Sequence, residues 1–124
     1  MTRVATWVCG SLRVTCSGEP RKVSLCHCPA YQRRSGSSYG IAAFFDRWAV
    51  QAEGSSRSYT RQSDRGFAVT FHFCPTCGST FYWEPQRMPE LVAVGVGSFA
   101  DPGFPAPTQA VYDEFRHPWV DIAI

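Results

Sequence analysis

No stretch of this 124-residue chain approaches the roughly 18 consecutive apolar residues of a membrane-crossing helix, so no membrane partner is expected. The opening Met1-Thr2-Arg3-Val4 lacks the long apolar segment of a secretory leader, and the expected compartment is the cytosol. Internal repeats, heptads and long linkers are missing, and so is any long helical periodicity. Lysine is almost absent: Lys22 is the single one among twelve basic residues, the rest being arginine. With a formal net charge of only +2, no basic tail and no basic–aromatic stripe, the electrostatic footprint of nucleic-acid binding is not there.

The 44% of hydrophobic and 15% of aromatic residues suffice for one core, so residues 1–124 read as a single domain. Charge is unevenly distributed: residues 1–65 carry a balance of +6 and residues 66–124 one of −4. The arginines favour forked contacts to carboxylates or phosphates, against the plainer alternative of a solvated surface on which both signs mix.

Short runs separated by turn residues predict an all-β fold. Alternation over Gly10–Cys16 places Leu12, Val14 and Cys16 on one face, and Gly66–Phe73 does the same for Phe67, Val69, Phe71 and Phe73. Further strands are expected at Ser24–Cys26, Tyr39–Phe45, Thr80–Trp83 and, as a buried strand, Leu91–Val96. Turns are expected at Ser17–Pro20, Glu53–Ser56, Glu84–Gln86 and Asp101–Gly103, with helix a minor component.

Four of the six cysteines stand in tight pairs, which in a reducing compartment points to metal or catalysis rather than to disulfides. Cys74-Pro75-Thr76-Cys77-Gly78 has the spacing of a zinc knuckle, whose two sulfurs can turn toward one ion at about 2.3 Å. A redox pair is the rival, but it calls for a helix beginning at the motif, and the residues that follow read as strand. Cys9, also followed by glycine, is the natural third ligand. A fourth would fall at position 7, two residues back on the same face, and position 7 is Trp7. His72 is an alternative fourth ligand, against its reading as an ordinary hydrogen-bonded histidine. Cys26-His27-Cys28 forms a second pair, with His27 pointing away from it. A third sulfur would fall at position 31, which is Tyr31, a poor zinc ligand that could serve as a hydroxyl donor. Cys16 reads as a small buried hydrophobe, or as a substitute ligand for a damaged site.

Taken in order over roughly residues 7–120, these features resemble the glutathione-dependent formaldehyde-activating enzyme and CENP-V domain family. The resemblance is carried by Cys9-Gly10, Cys26-His27-Cys28 with Gln32-Arg33-Arg34-x-Gly36, Phe73-Cys74-x-x-Cys77-Gly78, Val94–Pro102 and Phe115–Val120. It implies an Mss4-like fold of coiled antiparallel sheets around zinc-binding cysteine motifs. It also implies a structural zinc on position 7, Cys9, Cys74 and Cys77, and a catalytic zinc on Cys26, Cys28 and position 31. The implied chemistry is a carbon–sulfur lyase reaction, addition of the glutathione thiol to formaldehyde to give S-hydroxymethylglutathione. Arg33 and Arg34 would then hold a carboxylate of glutathione, and the partner would be a small thiol or thiol adduct. Trp7 and Tyr31 replace the cysteines the resemblance implies, so each metal site is one ligand short. The alternative is a non-catalytic zinc-binding structural or interaction domain, with a homo-oligomer allowed through exposed aromatics such as Trp83 or Trp119.

Overall fold

The structure, a computed structural model, describes residues 1–63 and 65–124. Among the described residues ten strands follow in order: β1 Thr2–Thr6, β2 Arg13–Ser17, β3 Lys22–Cys26, β4 Gly40–Asp46, β5 Val50–Glu53, β6 Arg57–Gln62, β7 Ala68–Phe73, β8 Thr80–Pro85, β9 Leu91–Gly95 and β10 Gln109–Val111. One α-helix, α1, covers Pro29–Ser35. The strands form a three-stranded sheet ordered β1-β2-β5 and a seven-stranded sheet ordered β10-β3-β4-β9-β8-β7-β6. All pairings are antiparallel except that of β10 with β3, so the expectation of antiparallel sheets holds apart from one edge strand. No helix among the described residues is long and apolar enough to cross a membrane.

Period-2 alternation gives the larger sheet two apolar faces. On one face Val23, Ala43, Phe45, Tyr82, Val92 and Val94 meet Ala5, Leu12, Val14 and Cys16 of the smaller sheet and its flank. On the other, one row of register partners runs Phe44, Ala93, Trp83, Phe71, Tyr59 across five strands. Leu12, Val14 and Cys16 are fully buried on one face, as expected, and Leu91–Val94 is a buried strand. Val69 and Phe71 do face inward together, but β7 begins only at Ala68 and leaves Phe67 exposed. β8 runs through Pro85, so its turn starts at Gln86, and β9 gives way to a 3-10 turn at Val96.

Trp7 is the largest fully buried side chain. Its indole meets the Phe81 ring edge-on, with centroids 6.0 Å apart, and its Nε1–H has no partner. Removing a buried indole forfeits its transfer free energy and leaves a cavity. Trp7→Ala is therefore expected to cost about 3–5 kcal/mol in urea unfolding of the metal-free protein. A loss under about 1 kcal/mol would show that the indole is not a core strut.

Candidate functional site

The first group of chemistry-bearing residues lies where β1 ends and where β7 turns into β8. A register irregularity between His72 and Phe73 breaks the β7–β8 ladder just before Cys74, and bulges of this kind re-aim the chain. The Cys74 N–H then donates to the Ser79 carbonyl at 2.9 Å, closing the knuckle loop. Within it the Thr76 and Cys77 N–H groups both point at the Cys74 sulfur, each at 3.4 Å. Gly78 takes φ +79° and donates to the Cys74 carbonyl at 3.0 Å, a conformation that penalises any Cβ. A second turn of similar form carries Cys9: Gly10 has φ +75° and donates to the Trp7 carbonyl at 2.9 Å.

The two turns bring Cys9, Cys74 and Cys77 together, their sulfurs all within 4.8 Å of one another and those of Cys9 and Cys74 3.6 Å apart. Thiolates at about 2.3 Å around one tetrahedral ion stand about 3.8 Å apart, so this donor set fits zinc. Two hydroxyls attend it: Ser11 Oγ is 3.1 Å from the Cys9 sulfur, and Ser79 Oγ is 3.2 Å from that of Cys77. Both serines end a Cys-Gly-Ser tripeptide, a repeated signal that is legible in the sequence and absent from the expectations above.

Electrostatics favour thiolates here. Hydrogen bonds from the Ser79 side chain and backbone, and from the Cys9 backbone, bring the Cys77 thiol down to about 6. At Cys74 burial acts upward, but donors from Cys77, Ser11, Thr76 and Cys9 outweigh it and the thiol is lowered. The remaining candidates are not in the cluster. His72 Nε2 lies 2.8 Å from the Glu84 carboxylate, and its ring stacks on Tyr82. Cys16 sits in the core, where burial raises its thiol to about 12.

The second group lines a cavity of about 620 Å³ on the uncovered face of the larger sheet. Cys28 is the N-cap of α1: its sulfur accepts the Tyr31 N–H at 3.3 Å, Pro29 opens the helix, and Gly36 ends it at φ +75°. Proline at the start and glycine past the end are the sequence signal for this short helix, which the strand pattern hid. Cys26 and Cys28 both face the cavity. A hydrogen bond between their thiols, together with burial, holds Cys26 well above the ordinary thiol range. His27, between them, points to the other side, where it is buried within 4.0 Å of Asp113. Burial lowers its pKa, only partly offset by that carboxylate.

Tyr31 lines the same cavity as the two sulfurs, and its phenol is engaged by the Arg34 guanidinium. Its ring packs edge-on against Trp83, 5.6 Å between centroids, and lies so close over Gly40 that a Cβ there would fall 2.0 Å from it. Burial raises its phenol pKa. The rings of Tyr31, Phe71 and Trp83 surround the Arg34 guanidinium at 4.4–4.5 Å, and Arg34 Nη1 donates to the Thr80 carbonyl at 3.4 Å. Burial lowers the Arg34 pKa, which Tyr31 partly restores. Arg33, Arg34 and Arg61 line the cavity, and no carboxylate does among the described residues. Arg33 and Arg34, the two residues the family resemblance implies for a ligand carboxylate, both lie on the cavity wall. The contributions of Arg61, Tyr59, Phe71 and Trp83 come from strand register and have no local sequence signal. Trp83 is buried at this wall and is no interface residue, whereas Trp119 is exposed.

The donors fit one three-thiolate metal group, at Cys9, Cys74 and Cys77. At Cys26 and Cys28 two thiols meet, and the residue in the place of a third donor is Tyr31, whose ring packs against Trp83. In the metal-free protein at pH 7, iodoacetamide should label Cys77 well ahead of Cys16. Labelling at Cys77 should fall as pH drops through about 6, where its thiolate takes up a proton. Equal labelling of both cysteines, read by peptide mass mapping, would refute this account of the cluster.

Residues 2–114 match the family model described as glutathione-dependent formaldehyde-activating enzyme. Among solved structures, the fold is similar to a crystal structure of a Rhodobacter sphaeroides protein, with a TM-score of 0.64 and 18% identity over 89% of this chain and 99% of that one. No curated protein matches the chain.

Proposed function

The chain belongs to the glutathione-dependent formaldehyde-activating enzyme family, and from that premise we propose that it binds a small anionic thiol or thiol adduct of the glutathione type in the cavity beside α1. A zinc ion on Cys9, Cys74 and Cys77 would stabilise the frame. The observation that carries this reading is the cavity itself. Its volume suits a small-molecule ligand. Two thiols, an aromatic wall and the side chains of Arg33 and Arg34 line it. Arg33, exposed at the rim, would take a ligand carboxylate in a forked contact, and Arg34, caged by three rings, would supply a fixed positive charge deeper in.

Formation of S-hydroxymethylglutathione needs the glutathione thiolate held beside the carbonyl carbon of formaldehyde. A metal would supply that by keeping the sulfur ionised. In this chain Tyr31 stands where the family resemblance implies a third sulfur, which leaves the two thiols Cys26 and Cys28, so no step is routed through a second zinc. Ligand binding without efficient turnover is the expected behaviour, which makes the protein a binding member of the family rather than an efficient lyase.

Calorimetric titration of the zinc-loaded protein with glutathione, alone and with formaldehyde, tests the reading. Saturable binding is expected, weakened about tenfold or more by Arg33→Ala, the loss of one charge-assisted contact. Formation of the adduct should be no faster than the uncatalysed reaction. Absence of binding would remove the proposal. Zinc-dependent turnover abolished by Cys26→Ser would instead establish an active lyase working with two thiols.

A further inference from the structure

The three-thiolate cluster differs from a sealed structural site in what stands at the fourth position. Trp7 occupies the place in sequence where a fourth sulfur would arise, but its indole is turned into the core against Phe81. Its nitrogen carries a hydrogen and has no lone pair to give. His72, the other candidate, is held by Glu84. No further His, Cys, Asp or Glu joins the group among the described residues. Cys9 and Cys77 are exposed, and Val8 between Trp7 and Cys9 is 93% exposed, so the cluster opens to solvent rather than to the core. Three protein ligands with an accessible fourth position is the arrangement of reactive zinc sites, whereas structural sites are closed by four.

We propose that Cys9, Cys74 and Cys77 form an open three-thiolate metal site whose fourth position is taken by a small exogenous thiol. The donor set selects sulfur: a thiolate-rich site on a borderline-soft ion favours a further soft ligand over a carboxylate. Three thiolates on a divalent ion already carry one net negative charge, and a fourth raises it to two. The surrounding donors are suited to that charge. The N–H groups of Thr76 and Cys77 point at one sulfur, and the Ser11 and Ser79 hydroxyls stand against the others. The incoming thiol enters as its thiolate and its proton leaves to solvent. This site is separate from the Cys26–Cys28 cavity, and a failure of ligand binding there leaves it untouched.

The full-length chain, stripped of metal and given one equivalent of cobalt(II), provides the test with 2-mercaptoethanol as probe. Sulfur-to-cobalt charge-transfer absorption should rise by about one third, saturating at one thiol per cobalt, as a fourth thiolate joins three. A Cys26→Ser/Cys28→Ser double variant should respond identically. Trp7→Cys, if it folds, should begin at the higher absorption and ignore added thiol. If it does not fold, the comparison of the unaltered chain with the double variant decides. Unchanged absorption, release of cobalt by the thiol, or loss of the response in the double variant would overturn the proposal.

Discussion

Everything in this structure follows from a seven-stranded sheet that is apolar on both faces and must have both covered. The smaller sheet and Trp7 cover one face over β3, β4, β9 and β8, and that is where the core closes. The other face receives α1, whose seven residues span only about 10 Å. The sheet, with neighbouring strands about 4.8 Å apart, is about 29 Å wide. The helix cannot cover it. The uncovered remainder, floored by Phe44, Trp83 and Phe71, is the cavity. The ligand space is thus the consequence of a cover that is too short, and Cys28 is placed on its wall because it caps the helix that does the covering.

Two aromatic residues stand where the family resemblance implies cysteine, and packing has absorbed both. Trp7 became the largest buried side chain of one face. Tyr31 became one wall of the ring cage on the other. The outcomes differ because the surroundings differ. Near Trp7 the remaining three sulfurs are held by backbone turns that do not depend on the fourth, so the cluster survives. Near Tyr31 only two sulfurs remain, and the hydrogen bond between them, with burial, raises the Cys26 thiol.

The strand pattern was legible wherever one face is buried and the other is not, as at Leu12-Val14-Cys16, or where both are buried, as at Leu91–Val94. β5 and β6 were not, because Val50–Glu53 and Arg57–Gln62 are largely exposed and polar, and pairing alone makes them strands. β10 is a short edge strand of the same kind, and β1 is an edge strand in which only Ala5 is fully buried. α1 is too short for periodicity to show, and its signature lies only in its ends. For the site, the convergence of Cys9 with Cys74 and Cys77 was readable from local turn chemistry, since each Cys-Gly-Ser turn builds itself. The ring cage was not, since it depends on register across β4, β9, β8 and β7, which no single segment encodes.

The exchange at position 31 also changes the sign of the cavity. A third cysteine there would add a potential negative charge to the wall, to be neutralised by a bound cation. The tyrosine stays neutral, since burial raises its pKa, and its ring instead fixes Arg34. Gly40 makes this possible: only a residue without a Cβ leaves room for the ring to lie flat on β4. Tyr31, Gly40, Trp83 and Arg34 therefore act as one unit. Returning a cysteine at position 31 alone would bring back a donor and at the same time dismantle the wall that holds the guanidinium. Arg33 at the rim and the caged Arg34 give the proposed ligand two guanidinium groups to face. Under the proposed function, recognition of the ligand passes from a metal to the caged guanidinium, so that the family's ligand class is kept while the metal chemistry of this cavity is given up.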